Sequence, residues 1–297
     1  MIEKLFAKAI KPLIGSGIGR IKPLARMYQQ MAHKILPNEK VIEVQGFKIK
    51  VVTQGYIGDI STELLFKGIH EPLTTKLFKR YIREGDVVVD IGANIGYFTL
   101  LASLLAGIKG KVFAFEPEYN NMLQLDDNLR LNHFTNVTPI KVALSDYNGR
   151  TKLFLSSSEN AKHSLIELRE HDGTTLVDVA KLDDILPPNM KVDFLKSDTE
   201  GNELQVLKGA KEVIKRSYDI KLLVEVYPRA LYAQKVAVAD IWEYLNTDLF
   251  FKYFYLVDDY KNKLFQVGSH LKITEYCRKA GLGCNLLCSR IKLGVDS

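Results

Sequence analysis

Asp90, Gly92, Asn94 and Gly96 stand together in DIGANIGYFTLL, residues 90–101, directly behind a run of valines. A strand that ends in a glycine turn and opens a helix is suited to hold an anionic group on the helix N-terminal amides. A dinucleotide fingerprint would need glycine at 92, 94 and 97, whereas positions 94 and 97 are Asn and Tyr. The second glycine of that fingerprint lets a pyrophosphate reach the backbone. Asn94 closes that approach, and Asp90 repels phosphate while favouring an ammonium. A ligand with both an ammonium and a carboxylate satisfies the turn, and the amino-acid end of S-adenosylmethionine is such a ligand. Taken alone, Gly92 and Gly96 are equally well explained by a tight turn with close helix packing.

Three further stretches offer chemistry. Glu116, in AFEP, lies 24 positions after Gly92, where a carboxylate can accept both hydroxyls of a ribose. Ser145 and Asp146, in ALSD, are placed to meet an adenine edge, although an Asx turn before Asn148-Gly149 accounts for them nearly as well. LKSDTEGNEL carries Lys196, Asp198 and Glu200 at alternate positions, so on an extended chain they project to one side. Charges on one face of an emerging core strand are costly unless paired or used. Glu203 falls in the first turn of the helix that Gly201 permits, and Glu225 ends the next strand.

The elements that must position these residues alternate. Strand 86–91 leads to helix 95–106, strand 111–116 to helix 118–132, and strand 137–143 to a polar excursion. Strand 191–197, helix 201–215, strand 220–226, a helix near 238–247, and strands 249–257 and 262–267 complete the pattern. The early strands are continuous apolar runs, as expected where helices cover both faces of a parallel sheet. The order predicts a doubly wound, mostly parallel α/β sheet. The last two strands lack an intervening helix and should form an antiparallel hairpin at one edge. Ligands in such sheets bind at the carboxyl ends of the strands, where all the residues above fall. Upstream, residues 61–83 read as helix restarted by Pro72, and VIEVQGFKIKVV reads as a short hairpin about Gln45-Gly46.

The 297 residues, 46% apolar and 26% charged, suffice for one large domain without disulfides or metal. We divide them into a basic extension, 1–40, and a single domain, 41–297, with its core at about 70–270. The net charge of +6 belongs to residues 1–50, which hold ten Lys/Arg against three acids. The remainder is near neutral, so a basic nucleic-acid-binding fold is not indicated. Residues 2–35 show apolar residues at helical spacing with lysines between, broken by GSGIG at 15–19. They suit either peripheral contact with an anionic membrane surface or a pair of helices packed on the domain. No signal-peptide pattern appears, and no apolar run is long enough to span a bilayer. Cys277, Cys284 and Cys288 lie outside the expected core, and their sparse, odd number fits a reducing, cytoplasmic setting.

The stretches GDVVVDIGANIGYFTL, AFEPEYNN, VALSDYNG, KLDDIL, VDFLKSDTEGNELQVLKGA and LLVEVYP occur in this order over roughly residues 70–228. Together they resemble the FkbM family of S-adenosylmethionine-dependent methyltransferases. The resemblance implies a class I methyltransferase, Rossmann-like fold acting on a hydroxyl of a sugar, glycan or small natural product. It implies Asp90, Gly92, Asn94, Gly96, Glu116 and Asp146 as the cofactor set, and matches Lys196, Asp198 and Glu200 to the family's charged block. Ser197 and Thr199 depart from that block, where apolar residues are commoner. An alcohol is a poor nucleophile, so Asp198 or Glu200 is expected to serve as base or acceptor-positioning group, with Lys196 stabilising oxyanion character. Asp198, Glu200 and Glu225 suit a divalent metal as well, which is left open and not assumed. His163, on the excursion, reads as a solvated loop residue on a plausible substrate lid. The other readings are a non-catalytic, membrane-associated protein binding S-adenosylmethionine or a nucleotide, and an NAD-dependent dehydrogenase.

Overall fold

The computed structural model describes residues 9–11, 22–52, 59–156, 163–167, 171, 173–281 and 283–294. Most of the first amphipathic stretch, the GSGIG break and part of the excursion after residue 156 lie outside them. Helix α1 (Lys22–Ile35) leads to the hairpin β1 (Glu39–Val44) and β2 (Phe47–Val52), which turns at Gln45-Gly46 as expected. Helices α2 (Ile60–Lys67) and α3 (Pro72–Tyr81) come next, the second opened by its proline. Tyr28, Ala32 and Leu36 bury themselves with Phe66, so this part of the extension packs on the domain while Met27 and Met31 face outward.

The alternating segment gives β3 (Val87–Ile91), α4 (Tyr97–Ala106), β4 (Lys111–Phe115), α5 (Tyr119–Leu131) and β5 (Val137–Ile140). After β6 (Ala143–Leu144), β7 (Gly149–Leu155), β8 (Gly173–Ala180) and α6 (Leu182–Ile185), the main sheet resumes with β9 (Phe194–Ser197). Then come α7 (Glu203–Gly209), α8 (Lys211–Arg216), β10 (Lys221–Val226), α9 (Pro228–Ala233) and α10 (Val238–Glu243). A wide helical turn (Tyr244–Asp248) precedes β11 (Tyr253–Asp258), β12 (Lys263–Val267), α11 (His270–Ala280) and β13 (Cys284–Ser289). The eight-stranded sheet has the order β12-β11-β13-β10-β9-β3-β4-β5. Its five strands from β10 to β5 are parallel, as the apolar runs predicted.

Two expectations need correction, the placing of the cysteines outside the core and the end of the third strand. The edge hairpin β11–β12 forms as expected, and a further strand, β13, is inserted between it and β10, antiparallel to both neighbours. Cys277, Cys284 and Cys288 are therefore buried, as part of the core on one sheet face. The third strand stops at Ile140 rather than residue 143, because Ala143-Leu144 leaves the main sheet to pair with β8. The polar excursion is not loop throughout, since β7 and β8 form an antiparallel ladder with β6 on its far side.

Register decides which residues share a face. One face carries Val88, Phe194, Leu223, Leu287 and Tyr255 against α2, α3 and α4. The other carries Val89, Leu195, Val224, Leu286 and Cys288 against the later helices. On the first face Asp90 pairs with Lys196, Lys196 with Leu223, and Glu225 with Asn285. A polar row thus continues an apolar one at the strand ends.

Beyond β13, Arg290 locks the inserted strand in place. Its guanidinium, 7% exposed, donates to the carbonyls of Ile214, Ser217, Tyr218 and Leu249 at 2.8–3.1 Å. Replacing it removes five hydrogen bonds, the Ser217 carbonyl alone keeping another donor among the described residues, the Ile220 amide at 3.2 Å, so Arg290→Ala should cost about 3 kcal/mol of unfolding free energy in urea. A loss below about 0.5 kcal/mol would show that the carbonyls are satisfied without it.

Candidate active site

The turn after β3 is built from two close approaches. Gly92 has φ +78°, and a Cβ there would lie 1.8 Å from the carbonyl oxygen of Asp198. The glycine lets the β3 and β9 ends touch, which draws the Asp198 loop up to the turn. Gly96 has φ +96°, and a Cβ there would lie 2.5 Å from Leu125 Cδ1, so it seats α4 against α5. Asn94, at φ +51°, sits between them; its Oδ1 accepts from the Ile95 amide at 2.7 Å. Close packing thus requires glycine at both positions.

Asp90 is fully buried; Thr99 Oγ1 donates to its Oδ2 at 2.6 Å, while Oδ1 has no hydrogen-bond partner. Burial raises its pKa, against the pull of Lys196 and of the Thr99 bond. An unpartnered buried carboxylate oxygen fits an incoming ammonium. Glu116, 5% exposed at the end of β4, accepts the Asn94 amide at 2.8 Å on Oε2 and the Glu118 amide at 2.9 Å on Oε1. The Asn121 side chain donates to this carboxylate as well, which leaves it room for one further hydroxyl donor. Burial pushes Glu116 up to about 7, with the two amides opposing. The residues present thus fit S-adenosylmethionine: Asp90 would meet its ammonium and Glu116 its ribose. Asp146 follows β6. Because β6 leaves the main sheet, its side chain is exposed, and its carboxylate accepts from Ser145 Oγ at 3.4 Å.

Lys196 is the centre of the charged row. It is 3% exposed, with Nζ 2.9 Å from Asp198 Oδ2 and 5.1 Å over the Phe98 ring. Burial works against its charge, but Asp198, Asp90 and Glu71 outweigh burial and hold its pKa above the ordinary lysine value. Beside it, Asp198, Glu200 and Glu225 each offer an oxygen within 4.8 Å of the others. Burial first, then the charges of Asp198, Glu200, Glu203 and Glu71, push Glu225 well above the carboxylate range. Such a trio favours either a shared proton or a hard cation. Glu203 plays a structural part, because its Oε1 accepts from the amides of Thr199 and Gly201 and from Thr199 Oγ1 at 3.0–3.1 Å. It fastens the loop in which Glu200 takes φ +53°.

Reading strand ends missed the opposite wall. Glu71, on the α2–α3 connection, accepts from Asn285 Nδ2 at 3.2 Å. His70 lies 2.7 Å from Glu63 through Nδ1. Asp259 accepts the Leu73 and Thr74 amides at 2.7 and 2.9 Å. The Glu-Pro pair at 71–72 was the available signal, read only as a helix start. His163 is half-buried and accepts the Ser156 amide on Nδ1 at 3.1 Å, so it is not a solvated loop residue.

Placed against the ribose, Glu116 would make cofactor binding proton-linked. Raised from 4.5 to about 7, it is protonated in the free protein below neutral pH, whereas the ionised form is the stronger acceptor for a ribose hydroxyl. The raised value contributes stability that is present below pH 4.5 and lost as pH rises through 7. Binding should release a proton near pH 7, and affinity for S-adenosylmethionine should tighten between about pH 6 and 8. Calorimetry in buffers of different ionisation enthalpy measures the release, and Glu116→Gln should abolish most of it. Heats independent of buffer in the wild type would contradict the assignment.

A model of the methyltransferase FkbM domain matches residues 90–255, a span that takes in the turn and the whole row from Asp90 to Glu225. Among curated proteins, the hexuronic acid methyltransferase AglP of Haloferax volcanii is 27% identical over 194 residues, covering 64% of this chain and 76% of its own. Methyltransferase 1 of Beauveria bassiana is 30% identical over 147 residues, covering 42% of this chain and 59% of its own. Among solved structures, the FkbM methyltransferase of Methylobacillus flagellatus superposes with a TM-score of 0.45 and 18% identity. That match covers 72% of this chain and 50% of the bacterial protein, so the chain spans about half the latter's length. The family match extends over more than half of the sequence, and the chain belongs to the FkbM methyltransferase family.

Proposed function

We propose that this methyltransferase moves a methyl group from S-adenosylmethionine to a hydroxyl of a sugar or glycan. The observation that carries the reading is the one-sided row of Asp90, Lys196, Asp198 and Glu225 next to Glu116, at the carboxyl ends of adjacent parallel strands. Asp90 and Glu116 hold the donor. When bound, S-adenosylmethionine supplies a methyl carbon activated by its sulfonium. Asp198 and Glu200 accept hydrogen bonds from the acceptor and set its oxygen in line, and Lys196 steadies the charge that builds on that oxygen. A carboxylate-rich wall suits a polyhydroxylated acceptor, whose hydroxyls donate. The name of the Haloferax relative makes a hexuronic-acid-bearing glycan the first acceptor to try.

Residues 41–297 form the catalytic unit in this reading, with 1–40 as an extension to it. The packing of Tyr28 and Ala32 against Phe66 supports a structural role for the second half of that extension. Among the described residues no helix is long and apolar enough to cross a membrane. Three free thiols support a reducing, cytoplasmic setting.

Asp198, Glu200 and Glu225 would be the ligands of a divalent ion, which would bind the acceptor oxygen as a Lewis acid. Lys196 already engages Asp198 at 2.9 Å, which favours the metal-free version. Turnover of a hexuronic-acid-terminated oligosaccharide, followed as formation of S-adenosylhomocysteine, should survive EDTA unchanged. Asp198→Asn should lower kcat by about 100-fold through lost alignment and leave the affinity for S-adenosylmethionine within a few fold. An Asp198→Asn enzyme as fast as the wild type would remove Asp198 from the acceptor site, and loss of turnover in EDTA would restore the metal.

A further inference from the structure

Glu71 and His70 carry chemistry that the proposed function leaves unused. Glu71 is a non-glycine residue at φ 41°, ψ 77°, immediately before Pro72. Both features are unfavourable, because positive φ crowds the Cβ and proline restricts the residue before it. Such strain persists where surrounding contacts over-determine it, and it concentrates at functional sites. The contacts are on view. The Glu71 carbonyl accepts the Thr75 amide at 2.8 Å, and its Oε2 accepts Asn285 Nδ2 from β13 at 3.2 Å. Asn285 stands directly opposite Glu225 on β10, so both side chains leave the sheet on the same face. His70 packs edge-on to Tyr97 and tilted against Phe98, with ring centroids 5.8 Å apart in each case. Lys196 lies over that same Phe98 ring at 5.1 Å. The α2–α3 connection therefore closes over the charged row as its second wall.

Within that wall the groups are ordered. Glu63 Oε2 lies 2.7 Å from His70 Nδ1, and Glu71 Oε1 lies 3.9 Å from His70 Nε2. This is a carboxylate–imidazole–carboxylate array with its far end at the acceptor side. Asp198, by contrast, is committed to Lys196 at 2.9 Å. A carboxylate that must stay ionised for a buried ammonium is a poor resting place for a proton.

We propose that Glu71 is a further catalytic residue, the group that receives the acceptor's proton, with His70 as the residue that positions it. This rests on the methyl-transfer reading above. As the acceptor oxygen bonds to the methyl carbon, the carbon–sulfur bond breaks, its electron pair stays on sulfur, and the hydroxyl proton passes to the Glu71 carboxylate. Charge balances: the sulfonium and the carboxylate are both neutral afterwards. Burial pushes Glu71 up to about 7, His70 and Lys196 pull it down, and Asp259 and Asp198 push it further up. A base titrating near neutral pH is matched to this role. The other charged or titratable neighbours are Glu63 and Lys67 on α2, Tyr97 on α4 and Glu225 on β10.

Two measurements on the full chain test the proposal. With the hexuronic-acid-terminated oligosaccharide, Glu71→Gln should lower kcat by about 100-fold or more and erase the acid limb of the kcat–pH profile near 7. Glu71→Asp should recover part of the rate, and His70→Gln should move that limb to higher pH by removing a cation beside the carboxylate. The second measurement needs no acceptor. With S-adenosylhomocysteine bound, the infrared band of protonated carboxyl groups should fade between about pH 6 and 8, and the wild-type minus Glu71→Gln difference should carry one titrating group. A Glu71→Gln variant that keeps wild-type kcat and its acid limb overturns the proposal, as does a difference spectrum flat across neutral pH. Inability of the wild type to bind S-adenosylhomocysteine sinks the methyl-transfer reading instead. Silence toward the oligosaccharide alone corrects the acceptor class and leaves the infrared result to decide on Glu71.

Discussion

The buried ammonium of Lys196 is the interaction on which the rest of the site depends. Asp90, Asp198 and Glu71 could not remain close together at the end of an apolar sheet without a cation among them. Lys196 supplies it from inside the sheet. It is directly paired with Asp90 on β3 and lies two positions before Asp198 on β9, so all three share one face. Phe98 offers it an aromatic ring rather than another charge. The backbone contact at Gly92 then holds the two strand ends together.

That arrangement comes from ordinary sheet geometry. Alternation along each strand sends Val88, Phe194 and Leu223 into the core beneath α2–α4, and the next residue but one on the same face is Asp90, Lys196 or Glu225. The polar row is the apolar row continued past the point where helices cover it. Glu203 shows that not every acid there is chemical, since its three hydrogen bonds fasten the loop that aims Glu200.

Much of this was legible in sequence because strand ends are easy to find in a doubly wound pattern. Asp90, Glu116, Lys196, Asp198, Glu200 and Glu225 all stand at or just past the end of an apolar run. The same rule ran the third strand through residue 143, when the chain leaves the sheet after Ile140. It was blind to β13, a short strand behind a polar helix, and so to Asn285, Arg290 and the burial of the three cysteines. It was blind as well to Glu71 and His70, which reach the charged row from the connection between α2 and α3, before the first parallel strand begins at Val87. Periodicity reports which face a residue takes within its own element. It does not report which connection folds over the sheet.

The account stands on the identity of the ligand that the turn between β3 and α4 accepts. Calorimetric titration of the full chain with S-adenosylmethionine, with S-adenosylhomocysteine and with NAD tests it most directly. Asp90, Glu116 and the non-dinucleotide turn predict one site per chain for each of the first two ligands and no measurable heat with NAD. Absence of binding by both sulfur ligands, or saturable binding of NAD at that site, would contradict it.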